Sequence, residues 1–237
     1  MTTPTHDAEL VRTATEDLLS ATVKLDPPAI AEPSQLPGWT RGHVLTHLAR
    51  NADALVNVLA GKPMYPSAEA READIERGAA RTLDDQVDDV RTSASRLESA
   101  FASLGEAEWS RTVTLRNGVT DLASALPFRR WVEVELHHID MGIGYRLEDL
   151  SGTFLDRELA TMARRFLGHP DLSVALELRA EDGRTWRTGA PEEVSGGGGE
   201  GPLVVVGSTV ALVGWLTGRT TGSGLSARGP LPELPAL

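Results

Sequence analysis

Between Leu83 and Leu104 the apolar side chains recur at alternating steps of four and three, through Val87, Val90, Ala94, Leu97 and Phe101. That spacing predicts a helix with one continuous apolar stripe, which must be buried against neighbours. Leu10, Ala14, Leu18, Ala21 and Leu25 repeat the pattern and predict a helix over 7–25. Pro27, Pro28, Pro33 and Pro37 then form a stiff connector that cannot be helical throughout. Thr40 is placed to cap a further helix, with Val44, Leu45, Leu48, Leu55 and Val58 inward and Gly61 closing it. A fourth helix is expected from near Pro127 to about Tyr145. Four long helices with polar groups on their inner faces predict a bundle whose site lies between helices.

The pattern changes after about residue 150. An amphipathic helix carrying Phe154, Leu155, Leu159, Met162 and Phe166 leads to a period of two in LSVALELRA (172–180), with Val174, Leu176 and Leu178 on the inner face of a strand. EDG (181–183) reads as a turn into a short strand around Trp186, EVSGGGGEG (193–201) as a loop, and PLVVVG (202–207) as a strand. Ser208 should cap a helix through Leu216 that Gly218 ends. The fold class expected is α+β, with a helical bundle over 1–150 and a small second domain over 151–237.

Charge and composition exclude several functions. A formal charge of −11 without any Lys/Arg block excludes generic phosphate-backbone binding, so no nucleic-acid partner is expected. No apolar run reaches the roughly 18 residues of a membrane span, and MTTPTHDAEL lacks the layout of a signal peptide. A cytoplasmic protein with no membrane partner is therefore expected. Oligomeric state has no signature here. The 237 residues include no cysteine, so any thiol chemistry must use a thiol supplied from outside.

The densest chemistry lies in WVEVELHHIDMG (131–142). Glu133 and His137 project from one helix face a turn apart, and Asp140 extends that stripe. Such a pair offers two ligands to a divalent ion and needs a third from another element, for which His47 in GWTRGHVLTHLARNADAL (38–55) is the best placed. Two histidines and a carboxylate with an open position are a common catalytic zinc set. Spacing alone leaves alternatives: His43 lies one turn before His47, His138 beside His137, and a Glu/His pair also suits a solvated helix face. The tryptophans at 39, 131, 186 and 215 are read as packing residues.

LPGWTRGHVLTHLARNADAL (36–55), PMYPSAEAREADI (63–75), FRRWVEVELHHIDMG (128–142) and GWLTGRTTGSG (214–224) resemble, in order, the mycothiol-dependent maleylpyruvate isomerases of the DinB-like superfamily. The resemblance implies a DinB-like four-helix bundle with a smaller C-terminal α/β domain. It implies a divalent metal, zinc being the expected one, on His47, Glu133 and His137. Arg219 occupies the position of an arginine important for activity in that family, and Arg71 and Asp140 are further candidates for the reaction.

The implied partners are a small-molecule substrate and mycothiol as thiol cosubstrate. The implied reaction turns maleylpyruvate into fumarylpyruvate: a metal-bound thiolate adds to the cis alkene, the resulting single bond rotates, and elimination returns the thiol. A free thiol has a pKa of about 8.5, so coordination is what makes it nucleophilic at neutral pH. Two other functions share these features: a mycothiol S-transferase acting on another electrophile, and a non-catalytic DinB-like metal or ligand-binding module.

Overall fold

A computed structural model describes residues 3–191 and 201–235. The chain divides into two compact units, Met1–Tyr145 and Arg146–Leu237, and the architecture is α+β.

In the first unit, α1 (Pro4–Thr22) starts earlier than its apolar stripe does, because Thr3 accepts the His6 amide and Pro4 occupies the first turn. The proline connector contains a short 3-10 helix, Pro27–Ala31. α2 (Arg41–Leu59) begins at Thr40 as expected, with a reciprocal cap between Thr40 and His43. α3 (Ala68–Ala79), which periodicity did not reveal, packs on α2. Its approach is close enough that a Cβ on Gly42 would lie 2.2 Å from the Ala79 carbonyl oxygen. α4 (Leu83–Ala102) realises the opening stripe: Leu83, Val87, Val90, Leu97 and Phe101 are buried. After the single turn of α5 (Glu106–Trp109), the strands β1 (Thr112–Thr114) and β2 (Thr120–Leu122) form an antiparallel hairpin. Asn117 and Gly118 turn it with φ of 59° and 73°. α6 (Leu126–Asp140) stops short of Tyr145, because Gly142 and Gly144 take φ of 63° and 108° that a continuing helix does not allow.

α2 lies against α4 and α1 against α6. One core cluster joins Leu55, Val58 and Leu59 of α2 to Leu97 and Phe101 of α4, Val113 of β1 and Leu126 of α6. Each such side chain contributes about 1.5–3 kcal/mol on burial.

The second unit holds α7 (Gly152–Phe166), β3 (Ala175–Ala180), β4 (Thr185–Gly189), β5 (Leu203–Gly207), α8 (Thr209–Leu216) and β6 (Ser226–Ala227). The sheet order is β4-β3-β5-β6, with β3 and β5 parallel and the other pairs antiparallel. Leu176 and Leu178 are buried as the alternation requires, but Val174 precedes the strand and is 38% exposed. Gly183, at φ 89°, closes the expected turn between β3 and β4. Apart from Gly201, the glycine-rich segment 193–201 lies outside the described residues.

Candidate metal centre

Three side chains from two helices meet inside the first unit. The ligand-capable atoms of His47, Glu133 and His137 all lie within 4.8 Å of one another, the one such group of three His, Asp or Glu side chains among the described residues. Glu133 Oε2 is 2.9 Å from His47 Nε2 and 3.5 Å from His137 Nε2. The two imidazoles stand edge to face, 4.7 Å between centroids. Donors of a tetrahedral zinc site, with bonds near 2.1 Å, are separated by about 3.4 Å. Two nitrogens and one oxygen at the spacing found here fit that requirement.

Each imidazole is also engaged through its other nitrogen. Asp140 Oδ2 lies 2.8 Å from His137 Nδ1, and Asp140 is almost completely buried. This contact holds the proton on Nδ1, which donates to the carboxylate, and leaves the Nε2 lone pair directed at the cluster. Behind His47, Nη2 of Arg71 lies 3.1 Å from Nδ1. Arg71 arrives on α3, with its guanidinium 5.7 Å from the centre of the Tyr65 ring. The ring of Trp39, read from sequence only as packing, is 5.6 Å from that of His47.

The electrostatics follow from this crowding. Burial lowers the pKa of His47 and outweighs the hydrogen bond to Glu133. For His137, burial acts the same way but the hydrogen bonds to Asp140 and Glu133 prevail, raising its pKa above 6.5. Burial alone would raise the carboxyl of Glu133, yet its hydrogen bonds to both histidines hold it well below 4.5. One turn before Glu133, buried Arg130 donates through Nη1 to Leu48 O at 2.9 Å and Asn51 Oδ1 at 2.8 Å, which ties α6 to α2 beside the cluster. Burial pushes its guanidinium down to about 10.

The competing histidines have other positions. His43 Nδ1 serves the cap at Thr40, and its Nε2 is 3.4 Å from Glu76. His138 is buried and stacks on Tyr145, with ring centroids 4.2 Å apart. Arg219 belongs to the second unit. It follows Gly218, at φ 72°, its amide bonds the Gly214 carbonyl, and its Nη1 donates to Thr217 O at 2.7 Å. Sequence reasoning missed Arg130 and Tyr65. The hairpin that lies between them in the chain, also missed, carried a legible signal, Asn117-Gly118 between TVTL and VTDL.

Fold and site together define a four-helix bundle with an inward His/Glu/His donor set, followed in the chain by a small α+β unit. Residues 11–142 match the family described as the mycothiol maleylpyruvate isomerase N-terminal domain, and residues 149–236 match the C-terminal domain of the same isomerases. The chain belongs to the mycothiol-dependent maleylpyruvate isomerase family. Among solved structures it is similar to a crystal structure of a mycothiol-dependent maleylpyruvate isomerase, at 29% identity and a TM-score of 0.88 over 100% of both chains. A crystal structure of a mutant of a mycothiol-dependent maleylpyruvate isomerase is similar at 28% identity and a TM-score of 0.87, again over 100% of both chains. Comparison with curated proteins gives no match. No described helix is long and apolar enough to cross a membrane.

Proposed function

We propose that this protein isomerises maleylpyruvate to fumarylpyruvate with mycothiol as cosubstrate, and that His47, Glu133 and His137 hold a divalent metal, zinc by preference. The observation that carries this reading is the convergence of two Nε2 atoms on one Glu133 oxygen, in a chain of this family that has no sulfur nucleophile of its own. When bound, the ion supplies the acidity that makes a thiol nucleophilic at neutral pH.

The residues of the chain account for the rest. Asp140 fixes the tautomer and orientation of His137. The substrate is a dicarboxylate whose alkene must lose its π character to rotate. Sulfur addition moves that electron pair toward the conjugated carbonyl, and elimination returns it. Guanidinium groups suit both the carboxylates and the transient enolate, because they donate in a planar fork. Arg71, beside His47, is one such group. Arg219 is proposed as the second on the strength of its place in the matched C-terminal motif.

The test is loss of maleylpyruvate absorbance with purified protein, with and without mycothiol and with and without chelator, alongside elemental analysis of the wild type, His47→Ala and Glu133→Ala. Turnover that needs both thiol and metal is expected, with metal lost in both variants. Full-rate isomerisation without thiol, or stoichiometric metal retained in both variants, would refute the reading.

A further inference from the structure

A cavity of about 560 Å³ lies in the first unit, between the segment after α2 and the β1–β2 hairpin. That is the size of a small-molecule site. Its walls are tied together: the Arg116 amide donates to Met64 Sδ at 3.0 Å, and Arg111 Nη2 donates to Leu59 O at 2.7 Å. Lys62, Arg111 and Arg116 line it with Thr114 and Asn117, and no carboxylate does. In a chain of net charge −11, three cationic side chains with no carboxylate beside them in the lining are a concentration of hydrogen-bond donors.

A chain of contacts through Tyr65 and Arg71 links the cavity to the donor cluster. That ring lines the cavity and lies 5.7 Å from the guanidinium of Arg71, which in turn reaches His47. The Tyr65 hydroxyl, raised in pKa by burial, also feels the charges of Arg71, Glu133 and Arg116. A molecule seated on Lys62 and Arg116 could therefore extend past Tyr65 toward the cluster.

We infer that this cavity binds the carbohydrate portion of the thiol cosubstrate, leaving its sulfur end to reach the donor cluster. The inference rests on the isomerase reading for its choice of ligand. Volume decides between the two molecules of that reaction: the cavity is far larger than a small dicarboxylate fills, whereas a glycosyl-inositol unit occupies such a space. The chemistry agrees, since ring hydroxyls and the amide carbonyl are acceptors for guanidinium and ammonium donors.

The experiment measures KM separately for mycothiol and maleylpyruvate in the wild type, Lys62→Ala and Arg116→Ala, both exposed positions. It also titrates each protein calorimetrically with glucosaminyl-inositol, the thiol-free fragment. Arg116→Ala should raise KM for mycothiol, and Kd for the fragment, about tenfold, the scale of one lost bond to a charged donor. KM for maleylpyruvate should stay within about twofold, a change too small to represent a lost contact. A rise confined to maleylpyruvate would assign the cavity to the dicarboxylate and overturn the inference. Unchanged thiol KM together with no fragment binding would overturn it as well. A wild type that binds the fragment, weakly so in Arg116→Ala, yet turns over nothing would refute the isomerase reading and uphold the cavity as a carbohydrate site.

Discussion

Asp140 stands behind His137, one turn further along α6, with Oδ2 2.8 Å from the imidazole Nδ1. Among the described residues no carboxylate bonds Nδ1 of His47, where the group within reach is the Arg71 guanidinium at 3.1 Å. The two contacts have opposite consequences. A carboxylate accepts a hydrogen bond from Nδ1–H, so the proton stays on Nδ1 and Nε2 is left as a ligand. A guanidinium can only donate, so it favours the tautomer whose proton sits on Nε2, facing Glu133.

Asp140→Asn should therefore weaken metal affinity by roughly 10–100-fold, the usual cost of losing such a support. Competition against a chelator of known affinity measures it. Affinity equal to wild type would show that Asp140 serves packing and not the ligand.

Arg71→Met makes the opposite prediction. Removing the donor behind His47 frees Nδ1 to carry the proton, so metal affinity should hold or rise by up to about tenfold, the scale of one hydrogen bond to a charged group. Turnover should fall, because the group proposed to receive the substrate is gone. A loss of metal in Arg71→Met would contradict this tautomer assignment.

Metal uptake should depend on pH with a definite sign. His137 must give up a proton to bind through Nε2, and its pKa in the metal-free protein is raised above 6.5 because hydrogen bonds to Asp140 and Glu133 outweigh burial. Protons thus compete with the ion at and below that raised pKa, and affinity should fall as pH is lowered through neutrality. Glu133, held well below 4.5, adds no competition until far more acid conditions. Titration of metal binding across this range, with proton release followed in parallel, checks the sign. Affinity independent of pH through neutrality would contradict it.

Arg219→Ala should lower kcat/KM by roughly 10²-fold, corresponding to about 3 kcal/mol for a charged hydrogen-bonding group. Metal content and thermal stability should match the wild type, and Lys should restore only part of the rate. Unchanged kinetics would reduce Arg219 to its role in the turn after α8, where it already bonds Thr217 O.

Local rules made much of this protein legible in its sequence. The stripe from Leu83 to Leu104, the cap at Thr40 and the alternation of Leu176 with Leu178 each express a backbone period, and each appears in the fold. Glu133 and His137 share a face for the same reason. Tertiary packing decided the rest. His47 and Glu133 are 86 residues apart in the chain, and only the packing of α2 and α6, tied by Arg130, brings them within 2.9 Å. Arg71 has the spacing of a surface residue on a polar helix; it is a neighbour of His47 because α3 closes tightly over Gly42. Periodicity reports which face of an element is buried and carries no information about which other element covers it. That choice depends on the sum of all the contacts the folded chain makes.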